Sequence, residues 1–414
     1  MTSIAIETSR EARRTALILA VSQAIIGSAA PIAISMGALA GQYLLGADKS
    51  LATAPITGFN IGVALGALPA AAIIRRLGQR GGFMTGTVVT ALGGLLATLA
   101  LFHGSFWLFA FALLVIGIGG AFVQQFRFAA ADNAPPEFKA RAISFVLAGG
   151  IITAILGPQI VIFTRELFAP VMFAGSFASI LPLAAVGAVI LSFLRLPAKT
   201  PSKVDVSDGD ARPLAEIVTK PRFVAALFCA VGSYALMSFV MTGAPLAMVG
   251  CGLSEDDATL GISWHVMAMF APSFFTGSLI HRFGAERIVA IGLVLLIGCA
   301  IVALSGLALW QFWTSLILLG LGWNFGFIGA TAMVAASYRP SEKGKVQGFH
   351  DFVLFGSVAC ASLLSGMVYN AWGWEMLNWM VFPVTVLCFV ALGALKLTAS
   401  RKSVPDPLVD ADLT

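Results

Sequence analysis

The sequence alternates between long apolar runs and short polar turns, and that alternation constrains the chain more than any single motif. Twelve stretches of about 20 or more mostly apolar residues occur, at 15–38, 51–74, 83–102, 107–131, 142–164, 171–194, 222–246, 259–280, 288–308, 311–336, 347–369 and 375–396. Each is long enough to cross a hydrocarbon layer of about 30 Å as a helix. Within lipid, a helix satisfies all its backbone polar groups inside one segment. The expected fold is therefore an all-α membrane protein with twelve transmembrane helices. Composition agrees: 58% of the residues are hydrophobic and 11% charged, against about 25% charged in soluble domains. The run at 15–38 is too long for the apolar part of a secretory signal and lacks a clear cleavage site, so it is expected to be the first span.

With an even number of spans both termini share a side. Placing them inside puts 22 of the 25 Lys and Arg residues in inward turns and tails, leaving Lys49 and Arg165 outside and Arg127 within the fourth stretch. This asymmetry predicts a multi-pass protein of the bacterial inner (plasma) membrane with both termini cytoplasmic. It also assigns the net charge of +5 to topology and membrane lipid, not to nucleic acid. Five Cys and four His are scattered without ligand spacing, so neither a disulfide framework nor a metal site is expected. A phosphate loop of the Gly-x-x-x-x-Gly-Lys-Ser/Thr type is missing, so ATP is not the direct fuel. His103, His265, His281 and His350 fall at different depths, which argues against an embedded enzyme. No cofactor is expected.

The longest polar stretch, 195–221, carries Pro197, Pro201 and Pro213 and reads as a cytoplasmic linker. It separates residues 1–194, a first six-helix bundle, from residues 222–414, a second. The halves repeat. Arg75-Arg76-Leu77-Gly78 recurs as His281-Arg282-Phe283-Gly284 at an offset of 206, as does Phe106-Trp107 at Phe312-Trp313. Pro136-x-x-Lys139-x-Arg141 recurs as Pro340-x-x-Lys343-x-Lys345 at an offset of 204. Parallel half-repeats imply two pseudo-symmetric bundles about an axis along the membrane normal, with a site between them near mid-depth.

At these residues the chain resembles the major facilitator superfamily, whose loop after the second helix reads roughly Gly-x-Leu-x-Asp-Arg-x-Gly-x-x-Arg/Lys. The second-half copy runs from Gly277 to Arg287, with His281 in place of the Asp. In the first half Ala71 replaces the Gly and Arg75 the Asp, which puts the usual Asp latch in doubt there. The family's Arg early in helix 4 is replaced near Leu114, and around Gly157-Pro158 the fuller glycine pattern of antiporters is lacking. The runs at 47–55, Gly58-Phe59-Asn60-Ile61-Gly62 and Gln347-Gly348-Phe349-His350-Asp351-Phe352 are similar to a bacterial branch that includes riboflavin-uptake transporters. The resemblance implies a secondary active transporter that moves a small organic solute by alternating access. It points to riboflavin uptake, with drug or metabolite efflux by proton antiport as the alternative. A monomer is expected.

Most intramembrane polar residues, Ser28, Ser35, Ser233, Ser238 and Thr242 among them, suit helix packing. Charges inside a span are costly and mark function more often. Arg127 and Asp351 are expected at similar depth, as a gating ion pair between the halves. His350 or Asp351 could instead carry a coupling proton, because His titrates near neutral pH. Arg75, Arg76, Asp132, His281 and Arg282 complete the gating candidates. Amides and aromatics together suit a flat, polar-edged, neutral ring. Gln23, Phe59, Asn60, Gln124, Gln125, Phe126, Arg127, Tyr234, Trp264, His265, Trp323 and Asn324 are the candidate substrate contacts.

Overall fold

The computed structural model describes residues 3–135, 138–194 and 212–402, and its regular elements there are all helical. Pro136 of the repeated turn motif and most of the expected linker, 195–211, lie outside the described residues. The first helices, α1 (Ser3–Ile26) and α2 (Ala29–Leu44), belong to one apolar run, Arg10–Leu44. The step between them falls at Gly27–Ser28, where the Ser28 hydroxyl donates to the Ala24 carbonyl at 2.6 Å. Next comes α3 (Ala54–Phe102), 49 residues long. A straight helix of that length would measure about 74 Å, more than twice the apolar layer. Gly78 breaks it with φ 74 and ψ 168.

Then follow α4 (Phe106–Val123), α5 (Phe126–Asp132), α6 (Lys139–Thr164), α7 (Ala174–Ala178) and α8 (Ile180–Ser192). The second half contains α9 (Leu214–Val218), α10 (Pro221–Gly250), α11 (Glu255–Phe270) and α12 (Ser273–Phe283). It continues with α13 (Ala285–Leu304), α14 (Leu309–Ala335), α15 (Lys343–Trp379) and α16 (Val381–Lys402). A bend of 42° at Ala271–Pro272 separates α11 from α12. Pro lacks the N–H that would continue the ladder and clashes with the preceding turn. Among the described residues, nine helical stretches are long and apolar enough to cross a membrane, and ten if the bent pair counts as one span. Leu68, Phe163 and Val390 stand exposed on the outside of the helices, a surface that lipid solvates and water would not.

The sequence repeat is also a conformational repeat. Gly78 ends the Arg75–Gly78 motif, and Gly284, with φ 86 and ψ 149, ends the His281–Gly284 motif. Positive φ with extended ψ is a region that glycine alone occupies cheaply. The two turns are fastened differently. In the first copy, the Asn133 amide at the end of α5 donates to Gln79 Oε1 at 2.8 Å. In the second, Arg222 pairs with Glu286 at 3.0 Å. On the same face, the Arg212 guanidinium and backbone hold the buried Glu342 carboxylate, with Nε at 2.6 Å and Nη2 at 2.7 Å. That face, with its Arg- and Lys-rich turns, is the basic face. Bonded to Arg212 and the Arg339 backbone, the Glu342 carboxyl sits far below its ordinary value.

Glycines set the packing of the first half. Gly58, Gly62 and Gly66 recur every four residues on the side of α3 that meets α4. A Cβ at Gly62 would collide with the Leu114 carbonyl, and one at Gly117 with the Phe59 carbonyl. Small residues at this spacing let helices touch backbone to backbone. The largest buried apolar cluster draws on residues 217–388 with Ala154 alone from the first half, and a second is built from residues 29–180 with Leu246.

Candidate functional site

An aromatic wall forms where α10, α14 and α15 meet. Trp323 and Phe327 stack with centroids 5.2 Å apart and 17° between planes. Tyr234 stands edge-on to both, at 5.3 Å and 5.0 Å, and also reaches Phe355 at 6.1 Å. The spacing from Trp323 to Phe327 is one helical turn, so both lie on the same face of α14. The indole N–H of Trp323 is buried without a hydrogen-bond partner in the structure. A buried donor left unpaired is costly, and a ligand carbonyl would satisfy it.

Arg127 faces this wall from the first half. It follows the irregular step at Gln124–Gln125 between α4 and α5. Irregular backbone at membrane depth is tolerated where it lines a cavity. The Arg127 side chain is exposed and lies within electrostatic reach of Tyr234 and Asp351. Its guanidinium also sits over the Phe128 ring, 4.8 Å from the centroid. Asp351 makes its close contact with His350, Oδ1 lying 2.9 Å from Nδ1. The His350 ring is buried and its Nε2 has no partner, whereas Asp351 is exposed. Gln124 is exposed, Gln125 half-buried, and Asp132 lies exposed at the end of α5. Arg75, Arg76, His281 and Arg282 are exposed on the basic face, with Arg282 over the Phe283 ring at 5.2 Å.

Other candidates are placed elsewhere. Asn324 is fully buried at the bend between α11 and α12. Its amide donates to the Met269 carbonyl at 2.6 Å and to Ser273 at 2.7 Å, and its oxygen accepts from Thr276 at 2.6 Å. One bond goes to the backbone before the bend and two to the Ser273 and Thr276 hydroxyls after it, so Asn324 staples the bend. His265 is fully buried with Nδ1 against the Leu316 carbonyl at 2.8 Å, which ties α11 to α14. Trp264 is 43% exposed and leans toward Trp313, whose indole donates to the Asp257 carbonyl at 3.0 Å. That pairing suits an interfacial aromatic anchor. Phe126 packs edge-on to Phe83 at 4.8 Å, inside the core of the first half. Phe59 is buried against α4, and the Gln23 carbonyl accepts from Thr153 at 2.8 Å. Phe327 and Phe355 were missed by sequence reasoning, although each lies one turn beyond a residue singled out, Trp323 and Asp351.

Away from the basic face, the halves are stitched together. Thr57 and Ser362 share a hydrogen bond at 3.1 Å, the Asn60 amide reaches Ser362 at 3.3 Å, and Thr53 donates to the Leu363 carbonyl at 3.3 Å. Ser263 donates to the Ala154 carbonyl at 2.6 Å. Arg165, 15% exposed, pairs with Asp256 at 2.6 Å and Glu255 at 3.6 Å. Asn60 is therefore part of a seam between α3 and α15. The aromatic wall lies on the basic-face side of this seam.

The chain is similar to known proteins throughout its length. The model of the Major Facilitator Superfamily matches residues 15–272 and 226–411. The "Riboflavin transporter RfnT" of Brucella anthropi is 50% identical over 381 residues, covering 92% of this chain and 95% of that protein. The fold is similar to that of the POT family transporter PepTSo, with a TM-score of 0.71 and 13% identity over 95% of this chain and 99% of that one. It also resembles the xylose transporter XylE of E. coli in a partially occluded inward open conformation, with a TM-score of 0.67 and 13% identity over 92% and 98%. With a glycine turn repeated in each half, an aromatic wall between helices and these likenesses over nearly the whole chain, the protein belongs to the major facilitator superfamily of secondary transporters.

Proposed function

We propose that this chain imports riboflavin. The observation that carries the reading is the 50% identity over 92% of the chain with a riboflavin transporter. The same identity disfavours drug or metabolite efflux. The aromatic wall supports the reading chemically: Trp323, Phe327 and Tyr234 offer faces and edges to a planar ring, and the unpaired indole N–H offers a donor at the rim. We assign Gln124, Gln125 and Arg127, from the other half, as the polar groups that complete the site.

The transport cycle needs two bundles that rock about the site. We count twelve crossings by splitting α3 at Gly78, joining α11 with α12 and adding the shorter apolar helix Val381–Leu397 to the nine long apolar stretches. We assign 1–194 and 222–414 to the two bundles, with 195–221 between them. The basic face is assigned to the cytoplasm by its Lys and Arg excess. The stitched face is then assigned to the periplasm, and the conformation is read as closed to the outside by that stitching. Arg127 and Asp351 are assigned to the inner gate, approaching each other as the bundles close on that side.

The test is uptake of radiolabelled riboflavin by a riboflavin-requiring bacterium that lacks its own importer, with and without this gene. Growth on low external riboflavin and uptake well above the empty-vector control are expected. Protein in the membrane without either outcome removes the riboflavin assignment and leaves the family assignment intact.

A further inference from the structure

A cleft of about 400 Å³ opens on the stitched face, outside the seam that closes the central site. It is lined by Gln42, Tyr43, Lys49, Phe173, Val249 and Glu255, with Leu39 and Met172 behind them. Its size falls in the range of small-molecule pockets. Tyr43 and Phe173 meet edge-on at 5.9 Å, and Tyr43 remains half-exposed. Phe173 holds φ 67, a left-handed conformation that a bulky side chain adopts only when its surroundings impose it. That conformation seats the ring in the cleft wall. Lys49, anchored on the Gln42 and Leu45 carbonyls at 2.6 Å, and Glu255 bring opposite charges to the rim. Together with Gln42 they make the rim polar.

The cleft takes its walls from both halves. Tyr43, Lys49 and Phe173 belong to the first, Val249 and Glu255 to the second. Glu255 also faces Arg165 across the seam at 3.6 Å. Outward opening must separate these walls. A ligand that touches both binds the closed form best, and a ligand shifts an equilibrium toward the form it binds best.

We propose that this cleft is a second, external binding site for a planar, polar-edged, uncharged aromatic ring, and that its occupancy holds the outer seam shut. Given the riboflavin reading, on which this rests, excess external substrate limits its own import. The arrangement favours a flat ring because the half-exposed Tyr43 ring lines the cleft, held edge-on to the buried Phe173. It favours an uncharged one because both charged groups of the lining are already engaged, Lys49 by carbonyls and Glu255 by Arg165.

The experiment follows initial rates of radiolabelled riboflavin uptake into right-side-out vesicles as external riboflavin rises to its solubility limit. For the wild type the rate should climb, pass through a maximum and fall at least twofold. Tyr43→Ala, at an exposed position, should keep the half-saturation of the rising limb and lose the fall, as should Val249→Phe, which fills the cleft from the other wall. Simple saturation in the wild type, a fall retained in both variants, or a shifted rising limb in Tyr43→Ala overturns the external site. A wild type that takes up no riboflavin overturns the transport reading instead. The external site is then decided by titrating purified full-length protein with riboflavin and following flavin fluorescence. A weaker second binding step lost in Tyr43→Ala supports it, and identical titrations overturn it.

Discussion

Truncating Trp323 removes the broadest face of the aromatic wall while leaving Phe327 and Tyr234 in place. Stacking of a heterocycle on an aromatic side chain is worth about 1–3 kcal/mol, and every 1.4 kcal/mol is about tenfold in affinity. Trp323→Ala is therefore expected to raise the half-saturation for riboflavin by about five- to a hundredfold, while Trp323→Phe keeps most of the stack. Uptake kinetics at matched protein levels check this; an unchanged half-saturation in Trp323→Ala would take the wall out of the binding site. Arg127 and Asp351 lie within electrostatic reach of each other, while their close contacts are with Phe128 and His350. If they meet in the inward-closed state, Arg127→Asp and Asp351→Arg should each abolish uptake, and the two together should restore part of it. Failure of the double exchange to recover any transport would exclude the gate pair.

Among the elements, the breaks carry as much as the helices. Gly78 and Gly284 reverse the chain at equivalent places, and Pro272 opens a bend that Asn324 closes with three hydrogen bonds. The end of the linker is fastened in a comparable way by Arg212 on Glu342. Because the Glu342 carboxyl is depressed in the folded protein below its ordinary 4.5, its contribution is fully present above that value and is lost as pH falls toward its folded value. Glu342→Gln should therefore lower the thermal midpoint by the same amount from pH 6 to 8. The gap from wild type should narrow below pH 4.5. A gap that stays constant on acidification would show that Glu342 contributes through packing and not through its charge.

For the molecule as a whole, the informative feature is that the polar stitching lies away from the basic face. Arg165 sits at its outermost point and pairs with Asp256 and Glu255. Arg165→Ala should shift the population toward the outward-open form. The measurement is a distance distribution between spin labels at Asp48 and the native Cys251, both exposed on the stitched face. A longer component should grow in Arg165→Ala, and its absence would remove Arg165 from the latch. A carboxylate left without its partner would also make Asp256→Asn in the Arg165→Ala background nearly neutral.

What the sequence determined by itself is the solvent and the repeat. Runs of about 20 apolar residues require lipid whatever their packing, the Lys and Arg asymmetry predicts an orientation, and Gly78 and Gly284 declare their turn because no other residue accepts that backbone cheaply. Tyr234, Trp323 and Arg127 were singled out because large aromatics and a charge stand out inside a span, and the structure brings the Tyr234 and Trp323 rings into contact. Which face each side chain presents was not legible. Asn324 and Trp323 are neighbours, yet one staples a hinge and the other forms the wall, because adjacent residues on a helix point about 100° apart. The seam of Thr57, Asn60 and Ser362 and the cleft at Tyr43 depend on residues some 300 or 200 positions apart meeting across the halves. In a membrane every helix is apolar nearly all round, so hydrophobic periodicity does not tell lipid from neighbour, and only tertiary contact decides which polar group is paired and which is left for a ligand.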